Sequence, residues 1–152
     1  MPLITSLISK LEVEYPSISF IGGNEFRWSP VDKVIFYEEG SSDAASLLHE
    51  LAHSILGHTN YRKDLQLLEM ERDAWHHAKE ELASKYQVTI TNEIVDSALD
   101  SYRDWLHARS TCPACEATGI QSKRHEYRCL ACQTRWRVNE ARMCELRRYV
   151  QA

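Results

Sequence analysis

The first apolar positions, Leu3, Ile4, Leu7, Ile8 and Leu11, recur at i, i+1, i+4, i+5 and i+8. That spacing stripes one face of a helix, and Tyr15-Pro16 ends it. The period then shortens. "SISFI" (17–21), "EFRW" (25–28) and "KVIFY" (33–37) are rich in β-branched and aromatic residues and are punctuated by "GGN" and "SP". They predict a small, mostly antiparallel sheet. After the loop "EEGSSD", Ser42 or Asp43 can cap a helix from Ala44 to Leu56, which Gly57 stops. A longer helix is expected over 62–86, then a brief extended "QVTI". Thr91 or Asn92 caps a third helix through Ala108, with Ile94, Val95, Ala98, Leu99, Tyr102, Trp105 and Leu106 on one face. "RSTCP" marks a boundary. Residues 112–137 look like a hairpin built on cysteines, and "NEARMCELRRYV" looks like a terminal helix.

The fold class expected is therefore α+β, with a body over 1–109 and a small appendage over 110–152. The chain has 152 residues, 43% hydrophobic and 26% charged, a balance that fits a packed globular protein. No run approaches the roughly 20 apolar residues of a membrane span. The N-terminus lacks the basic start and small-residue cleavage site of a signal peptide, so a cytoplasmic location is expected, with no membrane partner. Charge divides unevenly: nine basic against eighteen acidic residues up to Ala108, and nine against four from Arg109 onward. A basic tail suits a polyanion or an acidic partner surface.

"LLHELAHSILGH" (47–58) sets polar residues in an apolar helix. His49-Glu50-Leu51-Ala52-His53 fits H-E-x-x-H. Residues i and i+4 lie about 40° apart around a helix, so both imidazoles can reach one point. Glu50 lies about 100° round, placed to act as a general base rather than a ligand. Zn²⁺ suits such a site, which needs a third protein ligand. His58 is one candidate. On a continuous helix it faces away from His49, so it could bind only if Gly57 breaks the helix. Glu71 is the other. It sits in the middle of an apolar stripe formed by Leu67, Leu68, Ala74, Trp75, Ala78 and Leu82. A core-facing carboxylate is costly unless it is paired or bound to a metal. Glu69 and Asp73 lie on the solvated side. An Arg partner, or a place at the stripe's exposed edge, is the other explanation for Glu71.

These residues resemble the ImmA/IrrE family of small intracellular metallopeptidases, gluzincins with a glutamate on the helix after H-E-x-x-H. The resemblance covers about residues 15–85. That family's second helix reads roughly E-x-x-A-(N/D)-x-F-A. Glu71, Ala74 and Ala78 match, whereas Trp75 stands where Asn or Asp is expected and His77 where Phe is. The Trp75 departure removes a polar group that could orient a zinc-bound histidine, leaving His76, His77 and Asp73 as candidates for that role. The resemblance implies a zincin-like core that hydrolyses peptide bonds of an intracellular protein, with His49, His53 and Glu71 on zinc and Glu50 as general base. "KVIFY" could take an extended substrate by edge addition. Tyr61, His76, His77, Tyr102 and Arg103 are candidate oxyanion donors, and the sequence does not choose among them.

Five cysteines are present, and four form Cys112-x-x-Cys115 and Cys129-x-x-Cys132. Two such knuckles 13 residues apart specify a closed, structural zinc site, as in a zinc ribbon. Two zinc ions per chain are expected in all. Cys144 is left over, expected as a packed helix residue. Lys123, Arg124, Arg128, Arg135 and Arg137, with Trp136, could contact phosphates and stack bases; equally they could pack on an acidic surface. H-E-x-x-H with a C-terminal ribbon also resembles the SprT/Spartan type of DNA-associated protease, whose third ligand is a histidine. A binding module that docks on nucleic acid or a protein without catalysis is the third reading, and an intact Glu50 weighs against it.

Overall fold

The computed structural model describes residues 3–140, 142 and 145–151. The architecture is α+β, with two small sheets and helices. Contacts divide the chain into two compact units: Met1–Thr59 with Met70–Val95, and Asn60–Glu69 with Asp96–Ala152. The expected division at 109/110 falls inside a helix of the second unit. Among the described residues no helix is long and apolar enough to cross a membrane.

The first unit opens with α1 (Thr5–Glu14), which buries Ile8 and Leu11. Three short strands follow: β1 (Ser19–Gly23), β2 (Arg27–Ser29) and β3 (Val34–Glu38). Their order is β1-β3-β2, with β1 parallel and β2 antiparallel to β3. This corrects two expectations. The sheet is mixed rather than mostly antiparallel, and the "KVIFY" strand is its centre, paired on both sides, so it has no edge to offer. β2 and β1 are the edges. The burial of Val34 and Ile35 explains why β3 is central: the most apolar strand takes the covered place.

Helix α2 (Ala44–Ile55) starts where expected. Asp43 accepts from Ser46 N (3.0 Å) and Ser46 Oγ (2.6 Å), satisfying a free donor of the first turn. The helix buries Leu47, Leu48, Leu51 and Ala52 together with His49 and His53. The predicted long helix is α3 (Asp64–His77), a π-helical turn (Ala78–Leu82) and a last turn, α4 (Ala83–Lys85). α2 packs on the π-helical turn. Fully buried Ala52, Ala74 and Ala78 carry no bulk that would hold the helices apart. Such π-bulges often occur at functional sites. Helix α5 (Asn92–Ser110) is capped by Thr91, whose Oγ1 accepts from Ile94 N at 3.2 Å.

The second unit holds an antiparallel sheet, β4 (Ile120–Lys123), β5 (Glu126–Arg128), β6 (Arg135–Val138) and β7 (Arg148–Gln151), in that order. β7 corrects the expected terminal helix: Trp136 pairs with Val150 and Arg137 with Tyr149. Val150 and Tyr149 favour strands, and β6 would otherwise expose its backbone edge. Cys144 lies outside the described residues. Nothing in the sequence pattern points to the unit's buried ionic centre. Arg109 Nε donates to Asp64 Oδ2 at 2.8 Å, and the Tyr127 hydroxyl donates to the same oxygen. Arg109 also donates to the Asn139 carbonyl. An ion pair so enclosed persists only with its remaining hydrogen bonds met.

Candidate metal centres

α2 turns His49 and His53 to one side, as the i, i+4 spacing dictates, and α3 brings Glu71 to meet them. His49 Nε2 lies 2.9 Å from Glu71 Oε2, His53 Nε2 lies 3.1 Å from Glu71 Oε1, and the two Nε2 atoms are 3.1 Å apart. All three residues are buried. Ligand atoms on a tetrahedral zinc with bonds of about 2.0–2.1 Å sit about 3.3 Å apart, so the cage is slightly contracted around a zinc-sized centre. The contact of Glu71 with His49 is not a good hydrogen bond. Glu71 Oε2 has no properly aligned donor despite its short distance to His49. Two imidazole nitrogens facing each other across 3.1 Å likewise suit a shared cation better than a shared proton. The donor set fits zinc.

Burial pushes the Glu71 carboxyl upward, but the close approach of His49 and His53 outweighs it and holds the group far below the usual carboxylate range. Burial lowers His53, and the facing Glu71 carboxylate more than restores it, leaving its net shift upward. Proton and metal thus compete for His53 Nε2, and loading weakens in acid.

Glu50 does not join the cage. It sits close enough to feel the charges of His49, His53 and Glu71, and burial raises its pKa. Its Oε2 accepts from the backbone N–H of Trp28 in β2 at 2.9 Å. His58 is not a ligand either. Gly57, at φ +70°, does break the helix, but the reversal carries His58 to the far side of His53, where the Nδ1 atoms meet at 2.9 Å. Burial first, then neighbouring His53, lowers the His58 pKa. Trp75, where a polar residue was expected, stacks on His49 with ring centroids 4.2 Å apart and planes 18° apart. It holds the ring by its face, and among the described residues His49 Nδ1 stays buried without a partner. Asp73 and His76 are exposed, and among the described residues neither they nor His77 bond to the cage. Of the other oxyanion candidates, Tyr61, Tyr102 and Arg103 belong to the second unit.

The four cysteines also converge. Cys112 and Cys132 sulfurs are 3.6 Å apart, and Cys115 and Cys129 sulfurs 3.5 Å. Thiolates on a tetrahedral zinc with bonds of about 2.3 Å stand about 3.7 Å apart. All four ligand atoms lie within 4.8 Å of one another. Cys112 and Cys129 are fully buried beside Tyr127, Trp136 and Val138. That core overturns one expectation. Trp136 is 0% exposed, stacked on Tyr127 and donating its Nε1 proton to the Arg109 carbonyl at 3.0 Å, so it cannot stack a base. Lys123, Arg124, Arg128, Arg135 and Arg137 are exposed.

Among the described residues the molecule thus presents two clusters that could hold a metal ion, a buried His-His-Glu cage with a carboxylate beside it and a pair of knuckles that supplies four thiols. Comparison with known protein families, with curated proteins and with solved structures found no match.

Proposed function

We propose that this chain is a zinc-dependent endopeptidase with a zincin-like first unit akin to the ImmA/IrrE metallopeptidases, and that its substrate is a protein inside the cell. The observation that carries the reading is Glu50: a half-buried carboxylate beside the His49-His53-Glu71 cage and outside its ligand set. Bound zinc supplies Lewis acidity, polarising a carbonyl and acidifying water. Glu50 Oε1 takes the water proton and passes it to the leaving amine, while Trp28 N–H keeps Oε2 fixed.

The edge strand β2 supports the choice of substrate. Trp28 N–H bonds to Glu50, so it points away from β3, and in an antiparallel strand the carbonyl of the same residue points the same way. An extended peptide laid along β2 would find that carbonyl free of the ladder and the base at its side.

The test is metal content and cleavage measured together. Two zinc ions per chain and chelator-sensitive cleavage of an unfolded protein are expected. Glu71→Ala should lose one ion and the cleavage. A Glu71→Ala chain that keeps two ions, or keeps cleaving, sinks the assignment.

A polyanion-docking role for the second unit is favoured by one further observation. Arg128 and Arg135 stand directly opposite each other on β5 and β6, with Arg137 on the same exposed face. Like charges in such cross-strand pairs destabilise a sheet. A phosphate backbone would offset that repulsion, and the burial of Tyr127 and Trp136 favours backbone contact over base stacking. Duplex nucleic acid should bind with a steep salt dependence. Replacing Arg128 and Arg135 by Ala should reduce the log–log salt slope by about 2. No binding at low salt removes this role.

A further inference from the structure

The end of α2 is closed by two backbone hydrogen bonds. His58 N–H donates to the His53 carbonyl at 3.0 Å, and Gly57 N–H to the Ser54 carbonyl at 3.2 Å. With Gly57 left-handed, this is a Schellman closure. The motif brings the residue after the glycine against the residue five positions back, usually as an apolar contact. Here both partners are histidines. His58 Nδ1 lies 2.9 Å from His53 Nδ1, while His53 Nε2 faces Glu71 and His49.

The two ring nitrogens of His53 therefore have different tasks. A cation at Nε2 needs the lone pair there, which puts the ring proton on Nδ1. That proton needs an acceptor. We infer that His58 is a positioning residue of the metal centre: its Nδ1 lone pair accepts the His53 Nδ1 proton and fixes the tautomer and plane of that ligand. The inference rests on the reading of His49, His53 and Glu71 as a metal centre. His58 must then carry its own proton on Nε2.

Trp28 anchors the arrangement from the sheet. Its indole Nε1–H donates to the His58 carbonyl at 3.3 Å, and its backbone N–H to Glu50 Oε2 at 2.9 Å. One residue of the edge strand thus ties the base to the loop that orients a ligand. His49 has no such support: Trp75 holds it by stacking, and its Nδ1 is orphaned. The two histidines of one motif are held by different physics, and only His53 depends on His58.

The experiment is competition titration of Zn²⁺ on the full chain, comparing wild type, His58→Phe and His58→Asn. Phe fills the space without an acceptor, while Asn places an oxygen near the position of Nδ1. His58→Phe is expected to weaken the His-His-Glu ion by about 10–100-fold. The ion held by the four cysteines should be unchanged and serves as the internal reference, while His58→Asn shows that the first unit tolerates substitution at this position. His58→Asn should bind close to the wild-type value. Wild-type affinity in His58→Phe, or equal loss in both variants, overturns the inference. A wild-type chain that takes up a single ion, lost on Cys129→Ser, removes the metal centre itself and this inference with it.

Discussion

Glu50→Gln is expected to keep both ions and the fold while cleavage of an unfolded protein substrate falls by at least about 10²–10⁴-fold, the usual worth of a positioned general base. Fold retention follows from the environment. The amide oxygen of Gln can accept the same Trp28 N–H that Glu50 Oε2 accepts, and removing a half-buried charge relieves rather than creates a desolvation cost. Activity is lost because an amide does not take a proton near neutral pH. Kinetics and elemental analysis on one preparation decide it. Cleavage within tenfold of wild type would mean that another group is the base. Loss of zinc along with activity would place Glu50 in the ligand set. The wild-type pH profile carries a second mark. The base works only when ionised, so kcat/KM should fall on the acid side as Glu50 takes up a proton.

What the sequence disclosed of this site depended on helical periodicity. His49 and His53 share a face because 3.6 residues make a turn, and Glu71 stands out because a carboxylate interrupts an apolar stripe. Both arguments are local, and the structure brings the three together. Trp28 is beyond such reasoning. It lies 22 residues before Glu50, and its link is a backbone N–H, which every residue but proline has. His58 was legible in principle. Gly57 signals a left-handed cap, and a Schellman closure folds the next residue onto His53, but straight-helix projection sends it the opposite way. Trp75 was misleading for a different reason: stacking can orient an imidazole without any polar atom. In the second unit, "NEARMCELRRYV" looked like a terminal helix, yet the open edge of β6 pairs with β7. Tertiary pairing outweighs a weak local preference over so short a segment. Arg109 shows the same limit. It counts toward a basic tail by composition, but it is 1% exposed and its charge is spent on Asp64.

Stripping the ion from the four cysteines is expected to unfold the sheet of the second unit, a larger effect than any single side-chain change in it. The hairpin's core consists of Cys112, Tyr127, Cys129, Trp136 and Val138, with Ala117 and Leu146 at its margin. Two of those five core residues are candidate ligands, so a bound metal would be part of the core. Structural zinc contributes about 10–16 kcal/mol in zinc-finger peptides near pH 7. Nothing else in so small a cluster matches that. Without the ion, the sulfurs also work against one another. The Thr134 hydroxyl and backbone N–H draw Cys132 down to about 6. Burial raises Cys112, but the N–H groups of Cys115 and Ala114 bring it below its ordinary value. The Ala117 N–H favours the Cys115 thiolate too, yet the surrounding sulfurs push that thiol up to about 12. A metal-free knuckle pair therefore keeps a proton on Cys115 that zinc must displace, which makes uptake steeper with pH. Amide exchange is the measurement. Chelation, or Cys129→Ser, should abolish protection along β5 and β6 and expose the Trp136 ring. The His-His-Glu ion offers a contrast, because Glu71→Ala removes an ion from a unit whose buried Leu47, Leu48, Leu51, Ile35 and Leu11 remain to pack. Protection that survives chelation at Tyr127 and Trp136 would show that the stacked rings and the Asp64–Arg109 pair hold the sheet without metal.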